Sequence, residues 1–64
     1  MTYYAELNQM KIKKFPAKTL ESAYKQYNDY CRSKIPHCQL TPDEKSIGLH
    51  SWSNGEKCIR LIKE

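Results

Sequence analysis

The sequence predicts an α+β fold in which one amphipathic helix, at about residues 19–34, packs on an antiparallel sheet of three to four strands. Two observations predict this fold. Apolar residues recur at helical spacing in the middle of the chain. On both sides of that segment they alternate with polar residues, which is typical of strands. The 64 residues suffice for one domain, residues 1–64, with the element order β(β)-α-β-β.

The first segment, residues 3–15, contains two alternating patterns that are out of phase. Tyr3, Ala5 and Leu7 form the first pattern, and Met10 and Ile12 form the second. A change of phase requires a β-bulge or a tight turn, because a shift of one residue moves side chains to the other face of a sheet. The sequence leaves two alternatives open here, one long bulged strand or a small hairpin.

The predicted helix has one apolar stripe, formed by Leu20, Ala23, Tyr24, Tyr27, Cys31 and Ile35. Thr19 is a suitable N-cap because its hydroxyl can accept a hydrogen bond from a backbone N–H of the first turn. Pro36 ends the helix because it restricts Ile35 to extended geometry. The segment Thr41-Pro42-Asp43-Glu44 resembles a capping box, and we expect it to form a single helical turn.

The last third of the chain predicts a hairpin that turns at Ser53-Asn54-Gly55. A three-residue loop with Gly55 in a G1 bulge is preferred over a two-residue loop, because it collects aliphatic side chains on the face that packs against the helix. This register forms two aliphatic pairs, Leu49 with Ile59 and Ile47 with Leu61.

The same register predicts a basic and partly aromatic surface on the opposite face of the sheet. That face carries His50, Trp52, Cys58, Arg60 and Ile62. Lys11 and Lys13 join it if Met10 and Ile12 point inward. Aromatic rings with cations around them can stack bases and contact phosphates, and they also suit an acidic protein surface. The net charge of +4 is compatible with either partner.

The residues that we predict to contact a partner are exposed tyrosines and members of this outer face: Tyr3, Tyr4, Lys11, Lys13, His50, Trp52 and Arg60.

Metal binding, cofactor binding and catalysis are not expected. The possible metal ligands are Cys31, His37, Cys38, His50 and Cys58, but they lack the paired spacing of structural zinc sites. A chain with two glycines has no glycine-rich phosphate loop, and no cysteine–histidine pair has a third, orienting group. Three cysteines do not form a closed disulfide framework, and the first residues do not form a signal peptide, so we expect a cytoplasmic protein.

A strand, a helix that begins at Thr19-Leu20-Glu21-Ser22-Ala23, and a hairpin closed by Asn54-Gly55 follow one another in this chain. In element order and size it resembles small proteins of phages and mobile elements, including some anti-CRISPR inhibitors. The resemblance implies a non-catalytic inhibitor that blocks a host protein or nucleoprotein complex by surface contact. The alternative is a stand-alone nucleic-acid-binding module that uses the sheet face. In either case we expect no membrane contact, and a monomer or a homodimer.

Overall fold

The computed structural model describes residues 2–64. Its elements are β1 (Thr2–Leu7), β2 (Met10–Pro16), α1 (Leu20–Lys34), β3 (Gln39–Pro42), a short 3₁₀ turn (Ile47–Leu49), β4 (His50–Ser53) and β5 (Cys58–Lys63). The strands form one antiparallel sheet in the order β2-β1-β5-β4-β3, and the helix packs on one of its faces. The predicted fold class is confirmed, but the sheet has five strands where three to four were expected.

Of the two alternatives that the sequence left open for the N-terminal segment, the structure has the hairpin. Asn8 and Gln9 have positive φ angles of 53° and 66° and connect β1 to β2 as a two-residue turn of type I′. The ladder of this hairpin also contains a bulge. Lys13 lies opposite Ala5 and Lys11 lies opposite Glu6, so Ile12 is the extra residue. The turn accounts for the change of phase, since Met10 lies opposite Leu7, and the bulge shifts the phase again before Phe15, which lies opposite Tyr3.

The helix begins and ends as predicted. The Thr19 hydroxyl accepts a hydrogen bond from the Ser22 N–H at 3.2 Å. At the other end Ile35 is extended, as the following proline requires. Most of the apolar stripe is buried, but Leu20 at its start is 43% exposed and Tyr24 is only partly buried. The core combines the helix with residues from β1, β2 and β5, namely Tyr3, Ala5, Phe15, Ala23, Tyr27, Cys31, Ile35, Ile59 and Leu61. Edge-to-face contacts of Phe15 with Tyr27 and Tyr30 hold β2 against the helix.

The predicted register of the C-terminal hairpin is wrong. Ile59 lies opposite Trp52, and the loop has four residues, 54–57. The Asn54 side chain explains the loop, because its Oδ1 accepts hydrogen bonds from the N–H groups of Glu56 and Lys57, each at 3.0 Å. This side-chain turn replaces the expected G1 bulge.

Ile47 and Leu49 do not belong to a strand. They lie in the 3₁₀ turn, where Leu49 is 63% exposed. Gly48 has a φ of 83°, and the hydroxyl of Tyr24, which donates a hydrogen bond to the Ile47 carbonyl, lies directly against it. A Cβ at position 48 would collide with that hydroxyl. The aliphatic pairs Leu49–Ile59 and Ile47–Leu61 therefore do not form.

Strand β3 was not predicted. Thr41 and Pro42, interpreted above as the start of a helical turn, end this strand, and Leu40 lies opposite Trp52. Pro42 is tolerated because β3 is an edge strand, where one side of the backbone needs no ladder partner. Asp43 then begins a turn in which its Oδ1 accepts a hydrogen bond from the Lys45 N–H.

Candidate functional site

Trp52 does not lie on the outer face of the sheet, as the sequence predicted, but on the helix side. It lies opposite the fully buried Ile59, and its Nε1 donates a hydrogen bond to Asn28 Oδ1 of α1 at 2.8 Å. The register error explains the difference, because it shifts every side chain of β4 to the other face. His50 moves with Trp52 by alternation along β4 and remains exposed, with Nδ1 3.1 Å from the Gly48 carbonyl. The predicted stacking ring is thus unavailable on the outer face.

Arg60 lies on the outer face, as predicted, but its charge is compensated. Its Nε donates to Asp43 Oδ2 at 2.5 Å, and an Nη atom lies 3.7 Å from a Glu6 carboxylate oxygen. Partial burial of Asp43 acts to raise the pKa of its carboxyl, but hydrogen bonds from Arg60, the Lys45 N–H and Ser51 outweigh this and hold that pKa below its ordinary value. Arg60 therefore mainly connects β5 to the segment after β3. We call its ion pair with Asp43 the clasp.

The lysines of β2 lie on both faces of the sheet. Lys11 is on the outer face, opposite Glu6, and its Nζ lies 4.4 Å from the centre of the Tyr4 ring. Lys14 shares that face, since it lies opposite Tyr4. Lys13 was expected on the outer face as well, but it lies opposite the buried Ala5 and so belongs to the helix side. The bulge at Ile12 causes this separation.

These lysines belong to a stretch that accounts for the net charge. Between Asn8 and Leu20 the chain has four lysines and no acidic residue, whereas the rest of the chain has seven basic and seven acidic residues. The four form what we call the lysine edge: Lys11, Lys13, Lys14 and Lys18. All four are exposed, and none forms a salt bridge in the part of the chain that the structure describes. Lys14 and Lys18 were missed as candidates, although the absence of acidic residues from this stretch is visible in the sequence.

The lysine edge continues to the start of the helix. Lys18 lines an open depression of about 550 Å³ together with Pro16, Ala17 and Ser22. Gln26 supports the connection from one turn further along the helix, since its side-chain amide donates to the Pro16 carbonyl at 3.0 Å. The path from the β1–β2 turn to the helix therefore presents cations along its whole length.

The remaining predicted contacts have different surroundings. Tyr3 is 4% exposed and belongs to the core. Tyr4 is partly exposed on the outer face, where burial and the neighbouring Glu64 carboxylate raise the pKa of its phenol. Binding of a partner by the seven predicted contact residues stays a prediction.

The cysteines differ in accessibility. Cys31 is fully buried, and burial raises the pKa of its thiol to about 12. Cys58 is exposed at the start of β5, with its sulfur 3.0 Å from Ser51 Oγ and 3.9 Å from Asp43 Oδ2. Among residues 2–64, no three histidine, cysteine or acidic side chains are grouped closely enough to hold a metal ion.

Within the same range, no helix combines the length and the apolar character needed to cross a membrane. No family model matches the chain, and neither curated proteins nor solved structures give a significant match.

Proposed function

We propose that this protein is a non-catalytic binding protein, a small phage-type inhibitor or adaptor comparable to the anti-CRISPR inhibitors that it resembles in element order. In this proposal it acts in the cytoplasm of a host cell and blocks a protein or nucleoprotein complex by surface contact. The contact is made through the lysine edge, which binds a negatively charged surface of the target.

The distribution of charge carries this proposal. Lys11, Lys13, Lys14 and Lys18 are exposed and unpaired among the described residues, while basic and acidic residues balance in the rest of the chain. A positive potential confined to one edge directs association and selects acidic surfaces. If the positive charge served only solubility, we would expect it to be spread over the surface, and not concentrated on β2 and its connection to the helix.

The polar groups of the outer face favour a structural role over catalysis. Asp43, Arg60 and Ser51 bond to one another or to neighbouring strands. In residues 2–64 no buried side-chain nitrogen or oxygen lacks a hydrogen-bond partner. A catalytic group is commonly recognised by a perturbed pKa within a concave site, together with partners arranged around a reacting atom. The Asp43 carboxyl has a lowered pKa, but this follows from its structural hydrogen bonds with Arg60, the Lys45 N–H and Ser51, which outweigh the effect of burial.

Charge reversal tests the proposal. The variant Lys11→Glu, Lys13→Glu, Lys14→Glu should lose the partner that the native protein captures from host cells, as measured by affinity capture and quantitative mass spectrometry. The matched control is Lys25→Glu, Lys45→Glu, Lys57→Glu, which changes the net charge equally at exposed positions outside the lysine edge. Equal loss of the partner in both variants, or in neither, would contradict the proposal.

A stand-alone nucleic-acid-binding module remains the second candidate. The observation that favours it is the Tyr4 ring with the Lys11 ammonium beside it on the outer face. Binding to phosphates would make the logarithm of affinity fall with the logarithm of salt concentration, with a slope of about −0.7 to −0.9 per phosphate contacted. A gel shift with short single- and double-stranded oligonucleotides measures this directly. An absence of binding at low salt would rule this candidate out.

A further inference from the structure

We propose that an acidic, extended segment of the partner protein adds to the sheet as a sixth strand beside β2. This inference rests on the proposed function and specifies the chemistry of the partner. The segment contributes main-chain hydrogen bonds to the open side of β2, and its carboxylates bind the lysines. Strand addition of this kind obtains affinity from the backbone and specificity from the side chains.

The position of β2 makes its backbone available. It is the outermost strand of the sheet and pairs with β1 on one side only. Alternate N–H and C=O groups on its other side have no strand partner within the described chain, and such an edge is a template for another strand. Both edge strands end in a proline, but at seven residues β2 is longer than β3, the four-residue strand at the opposite edge.

The presence of lysines on both faces of β2 favours an added strand over a partner that binds one face of the sheet. Lys11 and Lys14 lie on the outer face, and Lys13 lies on the helix side. A partner that rested on one face would leave part of this charge unused. An added strand presents its own side chains to both faces alternately, so neighbouring acidic residues can meet lysines on each face.

The surroundings of β2 favour an acidic polypeptide over a nucleic acid. Single-stranded nucleic acid needs open aromatic rings on which its bases stack. Phe15, the aromatic residue of β2, is 2% exposed, and the Tyr4 ring is partly occupied by the Lys11 ammonium. The lysine edge therefore offers charge and backbone groups, and few surfaces for stacking.

Amide hydrogen exchange measured by NMR tests the inference with a defined probe, a short synthetic peptide that repeats Glu-Glu-Val. Saturating peptide should slow the exchange of alternate β2 amides, those that point away from β1, by about tenfold or more. Amides of β3 serve as an internal control and should be unchanged, because that edge carries no lysine. Binding that leaves the β2 amides unprotected, or no binding at all, would overturn strand addition.

Two comparisons separate backbone pairing from charge alone. The same peptide with alternate amides N-methylated keeps its carboxylates but loses hydrogen-bond donors, and it should bind about tenfold more weakly. An oligothymidylate of equal charge should bind more weakly than the unmodified peptide and leave the β2 amides unprotected. Equal affinity of the two peptides, or binding of the oligothymidylate alone, would contradict the inference.

Partner capture by the charge-reversal variant tests the proposed function separately, since loss of that partner would support a charged contact even if no strand is added.

Discussion

The two halves of the sheet are joined to the rest of the molecule in different ways. On one side β5 pairs with β1 over four consecutive residues, and β1 continues into the hairpin with β2. On the other side β5 pairs with β4 over two residues, and β4 carries β3. The first half is held by backbone ladders, whereas the second depends on side chains.

Tyr27 is the central contact of the second half. Its buried hydroxyl donates to the Ile59 carbonyl at 2.6 Å and accepts from the Trp52 N–H at 3.0 Å. These are backbone groups of residues that lie opposite each other in β4 and β5, so the hydroxyl connects the two strands. Burial raises the pKa of this phenol, which keeps the proton that it donates.

Where β5 continues beyond its pairing with β4, the Ser46 side chain provides the hydrogen-bond acceptor that a neighbouring strand would otherwise supply. Its buried hydroxyl accepts a hydrogen bond from the Leu61 N–H at 3.0 Å. On the outer face, the clasp between Asp43 and Arg60 connects the end of β3 to β5. The position of β3 and β4 therefore depends on a few individual polar side chains, and single substitutions can test each of them.

The largest effect is expected for Tyr27→Phe. The change removes both hydrogen bonds and leaves the Trp52 N–H and the Ile59 carbonyl without their partner, which should lower the free energy of unfolding by about 2–4 kcal/mol. Urea denaturation measures the loss, and hydrogen exchange should locate it in β3 and β4. Tyr30→Phe is the matched control, because the structure gives the Tyr30 hydroxyl no hydrogen bond within residues 2–64 and its ring contacts Phe15 in the same core. Equal loss in both variants would show that the Tyr27 hydroxyl does not join the two halves.

A smaller effect is expected for Ser46→Ala. This change removes one acceptor and leaves the Leu61 N–H unpaired, at a cost of about 1–2 kcal/mol. Urea denaturation monitored by the fluorescence of Trp52, the one tryptophan of the chain, provides the measurement. Ser33→Ala is the control, since its hydroxyl donates to a carbonyl on the exposed side of the helix. A stability unchanged from that of the native protein would contradict a role for Ser46 at the edge of β5.

The smallest effect is expected for the clasp, and it depends on pH. The pKa of Asp43 lies below its ordinary value of 3.8 in the folded protein, so folding favours its ionised form. This contribution to stability is complete above about pH 4 and is lost as the pH falls through the lowered pKa. Asp43→Asn should therefore be less stable than the native protein at neutral pH, and the difference should shrink in acid. Urea denaturation across that range checks this, with the exposed neighbour substitution Glu44→Gln as control. A difference that stays constant with pH would contradict the clasp.

Features that depend on neighbouring residues were predicted from the sequence, whereas features that depend on distant side chains were not. The helix was predicted closely because Thr19 and Pro36 act on adjacent backbone and the apolar stripe is a local pattern. The inward direction of Ile59 and Leu61 was also correct. The lysines of the candidate site were recognised in part, and their distribution over two faces was missed because the bulge at Ile12 becomes evident only once β1 pairs with β2.

The fold class, the limits of the helix and the accumulation of positive charge between Asn8 and Leu20 were evident from the sequence alone. These features depend on the order of neighbouring residues, for which spacing and composition are sufficient. The register of β4, the position of Trp52 on the helix side and the compensation of the Arg60 charge became evident only from the folded structure. Each of these depends on a polar group from a distant segment, such as the hydroxyl of Tyr27 or the carboxylate of Asp43, and no local pattern encodes such a partner.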